Sequence, residues 1–117
     1  MKFTVKTPLP SLNEYINAER SNKYAAAKIK KNATNAVLWA IKTQKCKETF
    51  EQFSLVINYF CKDKRKDKDN IAFQKKFILD GMQKAGIITN DGWNNVTDWE
   101  EHFWIDKNNP RIEVEIT

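Results

Sequence analysis

Two cysteines and one histidine are all that this 117-residue chain offers to thiol or soft-metal chemistry. Cys46 and Cys61 show no CxxC or Cys/His spacing, so they read as free thiols. His102 sits in a Trp-rich stretch and reads as a structural or surface residue; alone, it cannot build a His-rich metal centre. Neither GxxxxGKS/T nor GxGxxG occurs, which argues against nucleotide hydrolysis and against a nucleotide cofactor. No apolar run approaches the roughly 18 residues that span a bilayer. Met1 to Lys6 alternates polar and apolar residues, unlike the continuous apolar core of a secretion signal. A cytoplasmic protein with no membrane association is expected. No internal repeat or low-complexity linker divides the chain, and its length suits one domain over residues 1–117.

Acidic residues are missing between Arg20 and Lys47, where eight basic ones occur. The net charge of +5 therefore hides an asymmetry. Residues 1–90 carry 18 basic and 8 acidic side chains, a balance of +10, whereas residues 91–117 carry two basic and seven acidic, a balance of −5. Such segregation suits a polyanionic partner, because each neutralised phosphate releases counterions. It also suits a basic protein with a solvated lysine-rich helix.

Lys2 to Thr7 reads as a short strand, closed by Pro8 and Pro10, and Pro10 to Tyr15 as a turn or loop. The spacing predicts a helix from about Ser21 to Lys45, capped by Ser21 or Asn22, with Tyr24, Ala27, Ala33, Val37, Ala40 and Ile41 along one stripe. Its lysines would lie on DNA or RNA, or simply in water. Phe53 to Cys61 alternates apolar residues and has a partly apolar second face, as a central strand covered on both sides would. A second helix is expected from Ile71 to about Lys84, ended by Gly86. Trp99–Ile105 and Arg111–Ile116 read as strands joined by a turn at Lys107–Pro110. The expected class is α/β: a small mixed sheet with two main helices, in the order β-α-β-α-β-β.

Lys62-Asp63-Lys64-Arg65-Lys66 follows the best strand directly and runs into Asp67-Lys68-Asp69-Asn70. Asp67 and Asp69 are two residues apart and can point the same way in an extended segment. Hard cations such as Mg²⁺ take carboxylate oxygens together with water and phosphate. Asp91, in the returning Asn90-Asp91-Gly92 segment, is the candidate third carboxylate, and Asp80 a fourth. At about 100° per residue, Lys76 lies about 20° short of two full turns from Asp69, so it falls beneath it, whereas Lys75 is displaced by about 100° and reads as a surface or phosphate-contact residue. Blander readings remain open: Asp-x-Asp-Asn caps many helices, Asn-Asp-Gly is a common turn, and Asp80 can pair with Lys76 or Lys84.

Taken together, Lys66-Asp67-Lys68-Asp69-Asn70, then Lys76 and Asp80, then Lys84-Ala85-Gly86-Ile87-Ile88 and Asp91 resemble the RusA-type Holliday junction resolvases of bacteria and their phages. The likeness extends weakly to Pro8–Tyr15 and to the closing strand. It implies a homodimeric, Mg²⁺-dependent endonuclease (Mn²⁺ substituting) that nicks a four-way DNA junction symmetrically in recombination and repair, in a bacterial or phage-infected cell. It implies that Asp67, Asp69 and Asp91 bind metal and that Lys76 assists catalysis. Lys62, Lys64, Arg65, Lys66, Lys68, Asn70 and Lys75 would contact the DNA. Phe73, Trp93, Trp99 and Trp104 are candidate contributors to the dimer. Two departures stand out: the spacing from Asp69 to Lys76 is about three residues longer than in the best-known form, and Asn90 stands where a second acid is common. The alternative is a non-catalytic nucleic-acid-binding module.

Overall fold

The computed structural model describes residues 1–117. Its elements are β1 (Lys2–Lys6), α1 (Leu12–Ser21), α2 (Lys23–Thr43), β2 (Phe53–Cys61), α3 (Lys68–Ala72), α4 (Lys75–Ala85), β3 (Val96–Ile105) and β4 (Arg111–Ile116). The strands form one mixed sheet in the order β1-β4-β2-β3. β2 is central, parallel to β3 and antiparallel to β4, while β1 pairs antiparallel with β4. The α/β class and mixed sheet agree with the sequence reading. No helix is long and apolar enough to cross a membrane.

The strand alternation decides which side the helices cover. Phe53, Leu55, Ile57 and Tyr59 of β2 share a buried face with Phe3, Val5, Ile112, Val114 and Ile116, and this face packs on Ala33, Val37 and Ile41 of α2 and Phe77, Ile78 and Met82 of α4. The expectation of a strand covered on both faces does not hold. Ser54, Val56, Asn58 and Phe60 on the other face are only half-buried. Neighbouring strands cover them: Trp104 Nε1 donates to Asn58 Oδ1 at 2.9 Å, and the Arg111 guanidinium lies 3.8 Å from the Phe60 ring centre.

Three further expectations are corrected. Pro10–Tyr15 is not a loop: Ser11 caps α1, its hydroxyl accepting from the Glu14 N–H, and the helix begins at Leu12. α2 is capped by Asn22 as expected, but its inward stripe is Ala26, Ala33, Val37, Leu38 and Ile41, leaving Tyr24 and Ala27 in water. Lys107–Pro110 does not close a hairpin; β3 and β4 lie on opposite sides of β2, so the turn crosses its end, with Asp106 N–H donating to Cys61 O.

The expected single helix from Ile71 is also broken, at Phe73–Gln74. The bonds from Gln74 N–H to Ile71 O, Lys76 N–H to Phe73 O and Phe77 N–H to Gln74 O are the tighter 3₁₀ kind. Gln74 is buried there and donates to Leu9 O at 2.8 Å, tying the break to the chain before α1. Further along, α4 crosses α2 so closely at Gly81 that a Cβ would come within 2.4 Å of Val37 Cγ1. Gly86 ends α4 at φ 80°, a left-handed conformation that glycine adopts without strain.

Candidate active site

The basic run leaves the carboxyl end of β2 and is exposed at Lys62, Lys64, Arg65 and Lys66. With Pro8, Cys61 and Arg111 these residues, Lys64 excepted, line a hollow of about 480 Å³. Arg65 is held by Asp63, whose Oδ1 accepts the Arg65 backbone N–H. Lys66 Nζ donates to Glu14 Oε1 at 2.8 Å. Burial raises the Glu14 pKa, but hydrogen bonds from Lys66 and Ser11 and the lysine charge outweigh it, leaving the carboxyl below its ordinary value. Lys68 lies over the Phe103 ring at 5.8 Å. No ion pair engages Lys62 or Lys64.

Asp67 and Asp69 flank Lys68 at the start of α3, and both are exposed. Asp67 occupies the cap position, yet its side chain makes no capping hydrogen bond. Asp69 Oδ1 accepts only the neighbouring Asn70 N–H. The capping explanation of Asp-x-Asp-Asn therefore accounts for the positions of these carboxylates but leaves three of their four oxygens without a partner. Asn70 takes a structural bond, its Oδ1 accepting the Asn13 N–H and joining α3 to α1.

Asp91 is exposed and borders a different hollow, with Gln52, Asp98 and Trp99 at the start of β3. Within one chain, no group of three or more His, Cys, Asp or Glu side chains converges as a metal site. Asp67 and Asp69 stand in the first turn of α3, near the Phe103 end of β3, whereas Asp91 borders the hollow at its Val96 end. Two hard oxygen donors with open lone pairs still fit Mg²⁺, which commonly takes one or two carboxylates and completes its shell with water and substrate phosphate.

The two lysines at the start of α4 differ. Lys76 is exposed and has no ion-pair partner. Lys75, expected on the surface, is half-buried: its Nζ donates to Glu101 Oε1 at 2.6 Å and lies 4.4 Å from the Trp99 ring centre. Glu101 Oε2 accepts the Tyr59 hydroxyl at 3.0 Å. Burial, then the Glu101 charge and hydrogen bond, push the Tyr59 pKa far up. Asp80 pairs with neither Lys76 nor Lys84; Lys84 reaches Asn35, and Asp80 Oδ2 is buried without a partner. Burial likewise raises the Cys46 and Cys61 thiols, away from reactive thiolates.

Glu14 and Glu101 escape a reading of the sequence, although both leave signals there. Ser11-Leu12-Asn13-Glu14 has the S-x-x-E form of a helix start. Glu101 shares the strand phase of Trp99, Phe103 and Ile105, and a charge on that apolar phase needs a partner.

A family model for the endodeoxyribonuclease RusA matches residues 6–117. The chain belongs to the RusA family. The match runs from the last residue of β1 through β4 and so includes every carboxylate and lysine described above. No curated protein matches the chain. Membership of the RusA family makes this a Holliday-junction-resolving endodeoxyribonuclease in class, acting on branched DNA.

Proposed function

We propose that this RusA-family chain hydrolyses DNA phosphodiesters at four-way junctions in a Mg²⁺-dependent reaction, as a homodimer that makes two symmetric nicks. The observation that carries the reading is the Asp67–Asp69 pair, exposed and free of capping bonds, directly after a run of exposed cations. Asp67 and Asp69 would hold the metal; Asp91, which borders a separate hollow in the free chain, would have to move toward them to join. Bound Mg²⁺ supplies positive charge to the phosphate and an acidified water. Lys62, Lys64, Arg65, Lys66 and Lys68 hold the phosphate backbone and fix its register. Lys76, free of any ion pair, reaches the charge that develops on the phosphate. Lys75 and Asn70 have protein partners and act by shaping the site.

A two-fold dimer would present two such sites to two strands. β3 supports this reading, since it is an edge strand with one unpaired side and exposes Trp99, Trp104 and Ile105. Trp93 is exposed beside it, whereas Phe73 packs on Tyr15 and Phe77 and is less available.

The test incubates a labelled four-way junction, and separately a linear duplex, with wild type and Asp69→Asn, with and without Mg²⁺. Both proteins should bind the junction; only wild type with metal should cut it. Binding without cutting under Mg²⁺ or Mn²⁺ would overturn the nuclease reading in favour of a binding module. Equal cutting of linear duplex would overturn the junction preference.

A further inference from the structure

We propose that the outer face of α2 is a second DNA surface, separate from the Lys62–Lys68 run, which takes the sugar–phosphate backbone of a duplex arm. The inference rests on the reading of the chain as a DNA enzyme and adds a site to it. Tyr24, Lys28, Lys31, Asn35, Trp39 and Lys42 recur at helical intervals. At about 100° per residue they fall within about 80° of one another, opposite the buried Ala26, Ala33 and Val37 and bordered by Leu38, and extend over about 27 Å. That length spans about eight base-pair steps along a duplex axis at ~3.4 Å each.

Three observations point to a polyanion as the occupant. First, none of the eight basic residues from Arg20 to Lys47 takes part in an ion pair, although six Lys or Arg ion pairs form elsewhere. Second, the neighbouring helix adds to the same charge: Lys84 Nζ of α4 donates to Asn35 Oδ1 at 2.8 Å, so it stands on this stripe among Lys28, Lys31 and Lys42. The strand register puts Asp98, Glu100, Glu113 and Glu115 on the helix-free face of the sheet, away from α2. Third, Trp39 is 61% and Tyr24 76% exposed, and each carries a lysine 5.5 Å from its ring centre, Lys42 and Lys23 respectively. A flat ring beside a cation suits a sugar and its phosphate together. An acidic protein would also meet the charge, but the exposed Tyr24 and Trp39 rings, each beside a lysine, favour a sugar–phosphate polymer.

The experiment measures binding of the full chain to a labelled four-way junction without divalent metal, by fluorescence anisotropy from 50 to 300 mM salt. Neutralising one lysine that binds a phosphate lowers the slope of log affinity against log salt by ~1. Lys28→Gln/Lys31→Gln/Lys42→Gln should lower it by ~3 and Lys62→Gln/Lys64→Gln by ~2, with the combined variant showing the sum. All five positions are exposed, so unchanged circular dichroism and melting verify the fold. A triple variant with the wild-type slope overturns the proposal. So does a combined variant no weaker than Lys62→Gln/Lys64→Gln alone. Wild-type cutting with Mg²⁺ is scored independently: a lowered slope without any cutting supports this surface while refuting the nuclease reading.

Discussion

Replacing Glu101 tests how the centre of the helix–sheet interface is held. Its two oxygens bind Lys75 Nζ at 2.6 Å and the Tyr59 hydroxyl at 3.0 Å, and the Lys75 and Glu101 side chains are only 25% and 16% exposed. Breaking a fully buried pair costs about 3–5 kcal/mol, because the remaining charge is stranded. Two features lower that here. Lys75 is exposed enough to recover some water, and the Tyr59 hydroxyl lies 3.4 Å from Ala72 O, a second acceptor. Glu101→Leu should therefore cost about 2–3 kcal/mol, or a melting temperature lower by about 10 °C for a domain of this size. Lys75→Met should cost about 2 kcal/mol, since it leaves Glu101 with Tyr59 alone. The double variant places two apolar side chains beside Trp99 and should recover about 1.5–2 kcal/mol of the summed losses. Urea unfolding of the four proteins at pH 7 gives the cycle. Single losses below about 0.5 kcal/mol that simply add would refute the claim that these groups hold one another.

The same cluster predicts alkaline sensitivity. The Tyr59 pKa is raised in the fold, so its contribution is intact below the unfolded value near 10 and is lost as pH rises beyond it, by about 1.4 kcal/mol per pH unit. Urea midpoints from pH 9 to 11.5 should show this slope in wild type and lose it in Tyr59→Phe. At the acid end, Glu14 is held low by Lys66 and Ser11, so its contribution is present above its unfolded pKa and lost as pH falls below it; Glu14→Gln should flatten that limb of the stability profile. Gly81→Ala should destabilise by about 1–3 kcal/mol despite better helix propensity, because its Cβ meets Val37; a rise in melting temperature would contradict the close crossing. Lys45 holds φ 58° where α2 ends, with Cys46 N–H donating to Ile41 O, so Lys45→Gly should stabilise by about 1 kcal/mol in the same unfolding assay.

What the sequence revealed was what neighbours in the chain decide. The bounds of β2 were legible to the residue, because an alternating run flanked by charge has only one register that buries Phe53, Leu55, Ile57 and Tyr59. The basic run and the Asp67–Asp69 pair were legible for the same reason, being consecutive. α1 was obscured by Pro8 and Pro10, which made the segment look like a loop although Ser11 and Glu14 marked a helix start. The second, solvent-facing side of β2 misled because Val56 and Phe60 are apolar, while what covers Phe60, Arg111 and Trp104, comes from strands remote in sequence.

The lysine at the start of α4 shows the limit most clearly. Choosing Lys76 over Lys75 by helical phase assumed one helix from Asp69 onward, but the 3₁₀ turn at Phe73–Gln74 turns each residue about 20° further than an α-helix does. The turn is anchored by Gln74 on Leu9 O, a contact 65 residues distant that no local pattern announces. Beyond it, what separates the two lysines is partnership: Glu101 claims Lys75, and Lys76 is left to the solvent. The path from Asp69 to the two lysines therefore runs through that 3₁₀ turn, and it is Glu101, brought in by β3, that decides which of them is held to the sheet.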